Sequence, residues 1–447
     1  MSNLSIDTLL ANAILGIDTL WGGDVMSASG TKRFIADSWF ADVPLPVAYT
    51  HPLAAKVRDS HGVGAKTPDK ATIEAYLAEV DVRGAIAAVA DQGTTLGGQR
   101  AADFAGLALC FEVMWDLAME TLGKGTPVPY ERCVRAVTGA APTPSAPQER
   151  RRRLAELLTA AGHLSGGGDL LGAVDAWRSE RMVPRKSIPA LAAEFIAQLD
   201  ALTVEHVLPY LPRELASVPR ANVEFLPIEN AWFSGSMNYL GRARNPDGTP
   251  QYEATYEINA ALQISIPEFQ QLVSHEVVPG HVTTYAYLQN LFVRGRLGFE
   301  ATVLTMNTRA STLFEGIANN AILMAHGVLD ESQLPDRDLE IGVLLALLQD
   351  DAKNQASYAT WHEHAPPADV PPMLRRDFLV SEERADKLSA WGRNPLLGRM
   401  YLPVYRFGTE LVAQLRRTYP AERVLPVLFG CAGLVDAVTI HDVLERA

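Results

Sequence analysis

The chain has 447 residues and a formal net charge of −13, from 39 Lys and Arg against 52 Asp and Glu. An acidic surface of this kind argues against nucleic acid or an anionic membrane as the main partner, and it leaves a peptide or small amide substrate open. Three cysteines, Cys110, Cys133 and Cys431, lie far apart in sequence and fit free buried thiols better than a disulfide framework.

The N-terminus, MSNLSIDTLLANAILG, has no basic segment ahead of its apolar run, so no secretory signal is apparent. No stretch reaches the roughly 20 uninterrupted apolar residues of a membrane span. A cytoplasmic protein is expected. TPDKATIEAYLAEVDVRGAIAAVA predicts a helix, with Thr67 as its N-cap and Pro68 in the first helical position, where a missing N–H costs nothing. AADFAGLALCFEVMWDLAMETLG reads as a buried helix. Ala141–Pro147 reads as a linker, and Arg150–Arg153 opens a basic helix with a solvated face. His163–Asp169, HLSGGGD, is a flexible turn, and a further helix starts near Ser187. A soft boundary near residue 185 divides an N-terminal helical part, 1–185, from a catalytic part, 186–447, the two forming one continuous globular unit.

The texture then changes. NVEFLPI, WFSGSMNYLG and QYEATYEIN are short, aromatic and β-branched, and Asn245-Pro246-Asp247-Gly248 between the last two is a strong turn signal. They predict a β-hairpin over roughly residues 234–258. The chain returns to helices afterwards. The expected fold class is mainly α: a large helical domain with a small antiparallel sheet beside a distorted helix.

That helix carries SHEVVPGHVTT, Ser274–Thr284. Ser265 and Glu268 stand at capping-box spacing and mark its start. The familiar zinc motif is His-Glu-x-x-His, but here His281 follows His275 by six residues. On a regular helix, positions six apart lie about 120° apart around the axis, against about 40° for positions four apart. Pro279 offers no N–H to the His275 carbonyl, and Gly280 tolerates unusual backbone angles. A bulge or a break at this point returns His281 to the face of His275. A catalytic zinc site needs a third protein ligand and an open position for water. Glu315 stands in an otherwise apolar helical segment among Leu313, Phe314, Ile317 and Ala318, where a carboxylate needs a charge to neutralise it. Asn319, one turn on, is placed either to orient a ligand or simply as a polar helix residue.

HEVVPGH (His275–His281) together with FEGIANN (Phe314–Asn320) resembles a large bacterial family of unknown function. Its signature is His-Glu-x-x-Pro-Gly-His followed by a Glu-Gly-Trp-Ala-like helix, and it resembles the gluzincin metallopeptidases in turn. The resemblance implies His275, His281 and Glu315 as ligands of one Zn²⁺ and Glu276 as general base. It also implies a mostly helical catalytic domain with a small sheet beside the active-site helix. The matching motifs cover roughly residues 220–447, and NPLLGRMYLPVYRFGTELVAQLRR resembles the family's Tyr-x-x-Gly helix. The chain departs from the family in having Val282, Thr283 and Thr284 after His281, Ile317 for the usual Trp, and Ile322 for a frequent later Glu.

The reading is a zinc-dependent hydrolase, in the first instance a peptidase. The alternatives are a non-catalytic helical binding protein that retains a metal site, and a zinc amidase acting on a non-peptide amide. Tyr405 is the candidate oxyanion donor, on a helix that Pro403 is expected to kink, and Tyr401 is its competitor. Arg399 and Arg406 are candidate anchors for a substrate carboxylate. His362 and His364 read as loop or helix-end residues, and His51, His61, His163, His206, His326 and His441 as structural.

Overall fold

The computed structural model describes residues 5–27, 32–36, 38–41, 43–228, 235–239, 241–259, 263–430, 433 and 435–446. Helices dominate, as expected. Cys110 and Cys133 are free and buried; Cys431 lies outside the described residues.

The described residues contain three strands, β1 Val223–Ile228, β2 Gly235–Tyr239 and β3 Ala254–Asn259, in the order β1-β3-β2. β2 and β3 run antiparallel, which bears out the predicted pairing, and Asn245–Thr249 makes the turn expected between them. β1 pairs parallel to β3 along its other side, so the sheet is mixed rather than antiparallel. Parallel pairing needs a long connection and leaves no local sequence mark. Met237, Tyr239, Ala254, Tyr256 and Ile258 share one face, and all are buried in the main core. β2 is an edge strand.

Residue 185 is not a boundary in the packing. One core joins residues 9–137 to Phe299, Val303, Met400 and Val404. Another joins Leu154–Trp177 to residues 341–402. The linker 141–147 is docked rather than loose: Ser145 Oγ donates to the Asp351 carbonyl at 2.8 Å, and the Ser145 N–H donates to Gln355. The arginine run is a solvated face only at Arg152, which is exposed and pairs within its own helix. Arg150 pairs with Asp351 at 2.6 Å, Arg153 with Glu340 at 2.7 Å, and Arg151 donates to the carbonyls of Arg376 and Asp377. These pairs pin the basic helix to the C-terminal part.

The predicted N-terminal helix starts two residues later than the Thr67-Pro68 signal implied and comes in two pieces, Lys70–Glu79 and Val82–Gly93. Asp69 and Asp81 cap them, each accepting a backbone N–H three residues on. A carboxylate at an N-terminus is favoured by the helix dipole as well as by the hydrogen bond, so it outcompetes the threonine. Arg185–Tyr210 is long and apolar enough to cross a membrane by composition. It carries Glu194 and Asp200, and it buries Ala192, Phe195 and Leu199 in the main core.

The helices Arg309–Asn319 and Leu402–Thr418 cross with their backbones almost touching. A Cβ on Gly316 would stand 2.2 Å from the Gly408 carbonyl oxygen, and one on Gly408 would stand 2.0 Å from that of Thr312. Each glycine belongs to one of the motifs singled out above, and each is required by this close approach.

Candidate metal centre

The motif helix runs from Ile266 to Glu276 and starts at Ser265, as expected. The Ser265 hydroxyl donates to the Glu268 carboxylate at 2.8 Å and accepts from the Glu268 N–H, while Arg178 holds that carboxylate from the other side at 2.7 Å. The helix breaks after Glu276 and resumes as His281–Val293. Within the break, Val277 has φ −114° and ψ −80°, and Gly280 has ψ −133°. The Gly280 N–H reaches back six residues to the Ser274 carbonyl at 3.1 Å, and Thr283 does the same to Val277. The six-residue histidine spacing is therefore absorbed by a break. Gly280 takes φ −75° and ψ −133°, neither helical nor extended, in line with the unusual angles the sequence suggested, and a Cβ there would also stand 1.8 Å from the His275 carbonyl oxygen.

The break brings the two imidazoles together, with ring centres 4.7 Å apart and planes at 87°. Glu315 arrives from the helix Arg309–Asn319. Its Oε2 lies 3.5 Å from His275 Nε2 and 3.9 Å from His281 Nε2, and one ligand atom from each of the three residues falls within 4.8 Å of the others. The three residues thus form a group that could hold a metal ion.

The hydrogen bonds agree. Glu315 Oε1 accepts from the Tyr401 hydroxyl at 2.7 Å, whereas Oε2, fully buried, has no hydrogen-bond partner. A carboxylate oxygen left this way is costly unless a cation faces it. Burial accordingly pushes the Glu315 carboxyl above its ordinary range, and His281 and Tyr401 offset this only in part. Burial, and after it the neighbouring His281, hold the His275 imidazole well below its ordinary value, which keeps it neutral.

The tautomer of His275 follows from a relay. The Thr409 hydroxyl donates to the Tyr405 carbonyl at 2.7 Å and so accepts from Asn319 Nδ2, also at 2.7 Å. This fixes the Asn319 amide with Oδ1 toward His275 Nδ1, 2.7 Å away. The proton sits on Nδ1, and the Nε2 lone pair points at the cluster. Asn319 is thus more than a polar helix residue: it holds the orientation of the His275 ring.

Glu276 is buried beside His275, His281 and Glu315 and outside their group. Its Oε2 accepts the Met237 N–H from β2 at 3.2 Å, and its Oε1 is 4.0 Å from His275 Nε2. Tyr401 and Tyr405 stack edge to face at 5.2 Å. Burial raises both phenols well above their ordinary value, so both stay neutral. Pro403 is not in a helix interior. It occupies the first turn of Leu402–Thr418, where the chain leaves a π-helical turn, Leu397–Tyr401.

These groups face a cavity of about 590 Å³ whose wall draws on both halves of the chain, from Trp21, Phe34 and His61 to Arg384 and Tyr405. His61, expected to be structural, thus belongs to the wall. The proposed carboxylate anchors do not. Arg399 is buried against Glu120 and the Val128 carbonyl, and Arg406 binds Glu410 and the carbonyls of Thr143 and Pro144. His362 ends a helix in solvent, as expected, stacked on Tyr358 at 4.4 Å. Sequence reasoning missed Lys353, Asp350 and Arg384. Lys353 is buried in the wall, pairs with Asp350 at 2.9 Å, and holds its ammonium 3.3 Å over the Tyr405 ring. An unusual Asp-x-x-Lys pair inside a mostly apolar helix was the available signal.

No protein-family model matches this chain, and no curated protein matches it. Two solved structures share its fold. One is a "putative lipoprotein" from Colwellia psychrerythraea, 13% identical, with a TM-score of 0.53 over 81% of this chain and 67% of that one. The other is a "putative lipoprotein of unknown function" from Shewanella oneidensis, 14% identical, with a TM-score of 0.50 over 90% of this chain and 79% of that one. The likeness is one of fold.

Proposed function

We propose that the protein is a zinc-dependent hydrolase of amide bonds, in the first instance a peptidase, with His275, His281 and Glu315 holding one Zn²⁺. The observation that carries this reading is the buried, unpartnered Glu315 Oε2 between two imidazole Nε2 atoms, with Glu276 beside the set and not in it. When bound, zinc polarises an amide carbonyl and lowers the pKa of a water.

The chain's own residues supply the rest. Glu276, fixed through Oε2 by the Met237 N–H, takes a proton from the attacking water at Oε1 and delivers it to the leaving nitrogen. Tyr405, a neutral phenol on the cavity wall, donates to the carbonyl oxygen as negative charge builds there. Tyr401 is committed to Glu315 and steadies that ligand. β2 is an edge strand bordering the cavity, along which an extended peptide backbone pairs.

A closed structural site would have a fourth His or Cys. The described residues bring only three metal-binding groups together, which favours the catalytic reading over a binding protein with a structural ion. The test is metal analysis of the purified protein with a peptide-library cleavage screen, repeated on Glu276→Gln. That variant keeps its zinc and loses nearly all turnover. Turnover close to the parent rate removes Glu276 as the base, and a metal-free, inactive parent removes the reading itself. Cell fractionation decides between the cytoplasmic location expected from the sequence and the lipoprotein description of the two fold neighbours.

A further inference from the structure

A second, smaller cavity of about 130 Å³ shares no lining residue with the one at the candidate metal centre. It lies where four helix ends meet. Its wall comes from the end of the helix Ile188–His206, the turn after Ala321–Ala325, the last turn of Leu402–Thr418 and the start of Ala421–Gly430. Much of that wall is apolar, with Met324, Val328, Val424 and Leu425 on it. Among the described residues no carboxylate lines it, and Arg416 is its one permanent charge.

Arg416 is 6% exposed. Its Nη1 donates to Asn320 Oδ1 at 3.0 Å, and its Nη2 donates to the Val328 carbonyl. Both acceptors are neutral. They use two of the five N–H groups of a guanidinium, and the others meet no acceptor among the described residues. No acid on the flanking segments forms an ion pair with Arg416; Glu205 stands 3.8 Å from the His206 imidazole instead. Burial, and after it the neighbouring Arg417, pull the Arg416 guanidinium down to about 10. A buried charge without a counter-ion is costly. Ala421 brings to the same wall the start of a ten-residue helix, whose N-terminal end carries partial positive charge.

We propose that this cavity binds a small aliphatic carboxylate, with Arg416 taking the carboxylate and the apolar wall taking the chain. The spare N–H groups of a planar guanidinium meet a carboxylate through charge-assisted hydrogen bonds, and the anion supplies the missing counter-charge. The volume sets the size of the ligand. A cavity of about 150 Å³ holds benzene, so about six heavy atoms fit here and a peptide does not. The wall offers no carboxylate to an ammonium group, so a simple acid is preferred to an amino acid of the same length. Inorganic phosphate has no chain to bury against the wall and binds more weakly. The site does not depend on the hydrolase reading.

Dissociation constants of butyrate, butyramide, 2-aminobutyrate and inorganic phosphate are measured by ligand-observed NMR on the full chain at neutral pH and low salt. A chelator keeps metal in the larger cavity from taking the acid. The expected result is a butyrate constant of about 1 mM or below, at least about tenfold tighter than the other three. Arg416→Gln weakens butyrate by at least about tenfold and leaves butyramide unchanged, while Arg416→Lys keeps the charge, loses the fork and weakens butyrate less. Ala421→Leu narrows the cavity with Arg416 in place and weakens butyrate as well. Circular dichroism melts confirm that the variants are folded; if neither Arg416 variant folds, Ala421→Leu and the parent's preference for acid over amide carry the comparison. Equal binding of butyrate and butyramide, no butyrate binding below about 10 mM, or an affinity unchanged in every folded variant overturns the site. Phosphate or 2-aminobutyrate binding as tightly as butyrate overturns the ligand class.

Discussion

The Asn319 relay gives a sharp test of the metal centre. In Asn319→Ala, His275 Nδ1 loses its acceptor at 2.7 Å, and a ring N–H is left unsatisfied in a buried site. The tautomer is then free to reverse, which turns a proton rather than a lone pair toward Glu315. Loss of an outer partner to a metal-binding histidine costs about 10–100-fold in metal affinity. That is about 1.4–2.7 kcal/mol, in line with the about 1–3 kcal/mol for stranding a buried polar group. Asn319→Asp keeps an acceptor at the same place and retains affinity. Thr409→Val frees the amide without removing it, since Thr409 holds only Nδ2, and costs about threefold. Zinc dissociation constants from competition with a chromophoric chelator at neutral pH resolve these differences. An Asn319→Ala constant within about twofold of the parent refutes the tautomer argument and weakens the ligand assignment with it.

Gly280→Ala drives a methyl group into the His275 carbonyl. The expected result is loss of zinc binding together with a destabilisation of more than about 3 kcal/mol in denaturant unfolding, and a stable, zinc-binding variant contradicts the account of the break. Tyr405→Phe lowers kcat on a verified substrate by about 10²–10³ with little change in KM, whereas Tyr401→Phe mainly weakens zinc through Glu315; steady-state kinetics and metal titration exchange the two roles if the effects are reversed. Asp18 is fully buried, and burial raises its carboxyl to about 7 even though the Ile35 N–H donates to it. Its folded state holds more protons than the unfolded state between about pH 4 and pH 7, so its contribution to stability falls as pH rises through that window. Relative to Asp18→Asn, the parent loses on the order of 3 kcal/mol from pH 4 to pH 8; a pH-independent difference between the two shows that the group titrates normally.

What was legible in the sequence was local. The histidine break could be read because proline and glycine act on the residues around them, and Ser265 marks a helix start by its own hydrogen bond. Glu315 stood out because a carboxylate among apolar neighbours demands a partner. What was missed is held together across long separations. The parallel strand β1 joins β3 over an intervening strand. Arg384, Lys353 and Trp21 meet on one cavity wall from three distant helices, with no spacing to betray them. The arginine run at 150–153 looked solvated because its partners, Glu340 and Asp351, lie far along the chain. Arg399 and Arg406 were plausible anchors by charge alone, but their hydrogen bonds commit them elsewhere.

The contact between Gly316 and Gly408 bears on how the cavity is built. Two helices locked at that distance do not slide or tilt independently, because no side chain lies between them to repack. Glu315 rides on one of them, and Tyr405 and Thr409 ride on the other. Asn319 and Thr409 tie the pair to His275 by hydrogen bonds. Glu315, His275 and Tyr405 are thus tied into a single unit. The opposite wall is built separately, from Arg384 and Lys387 on the helix Glu382–Gly392 and from Trp21 and Phe34 in the N-terminal half.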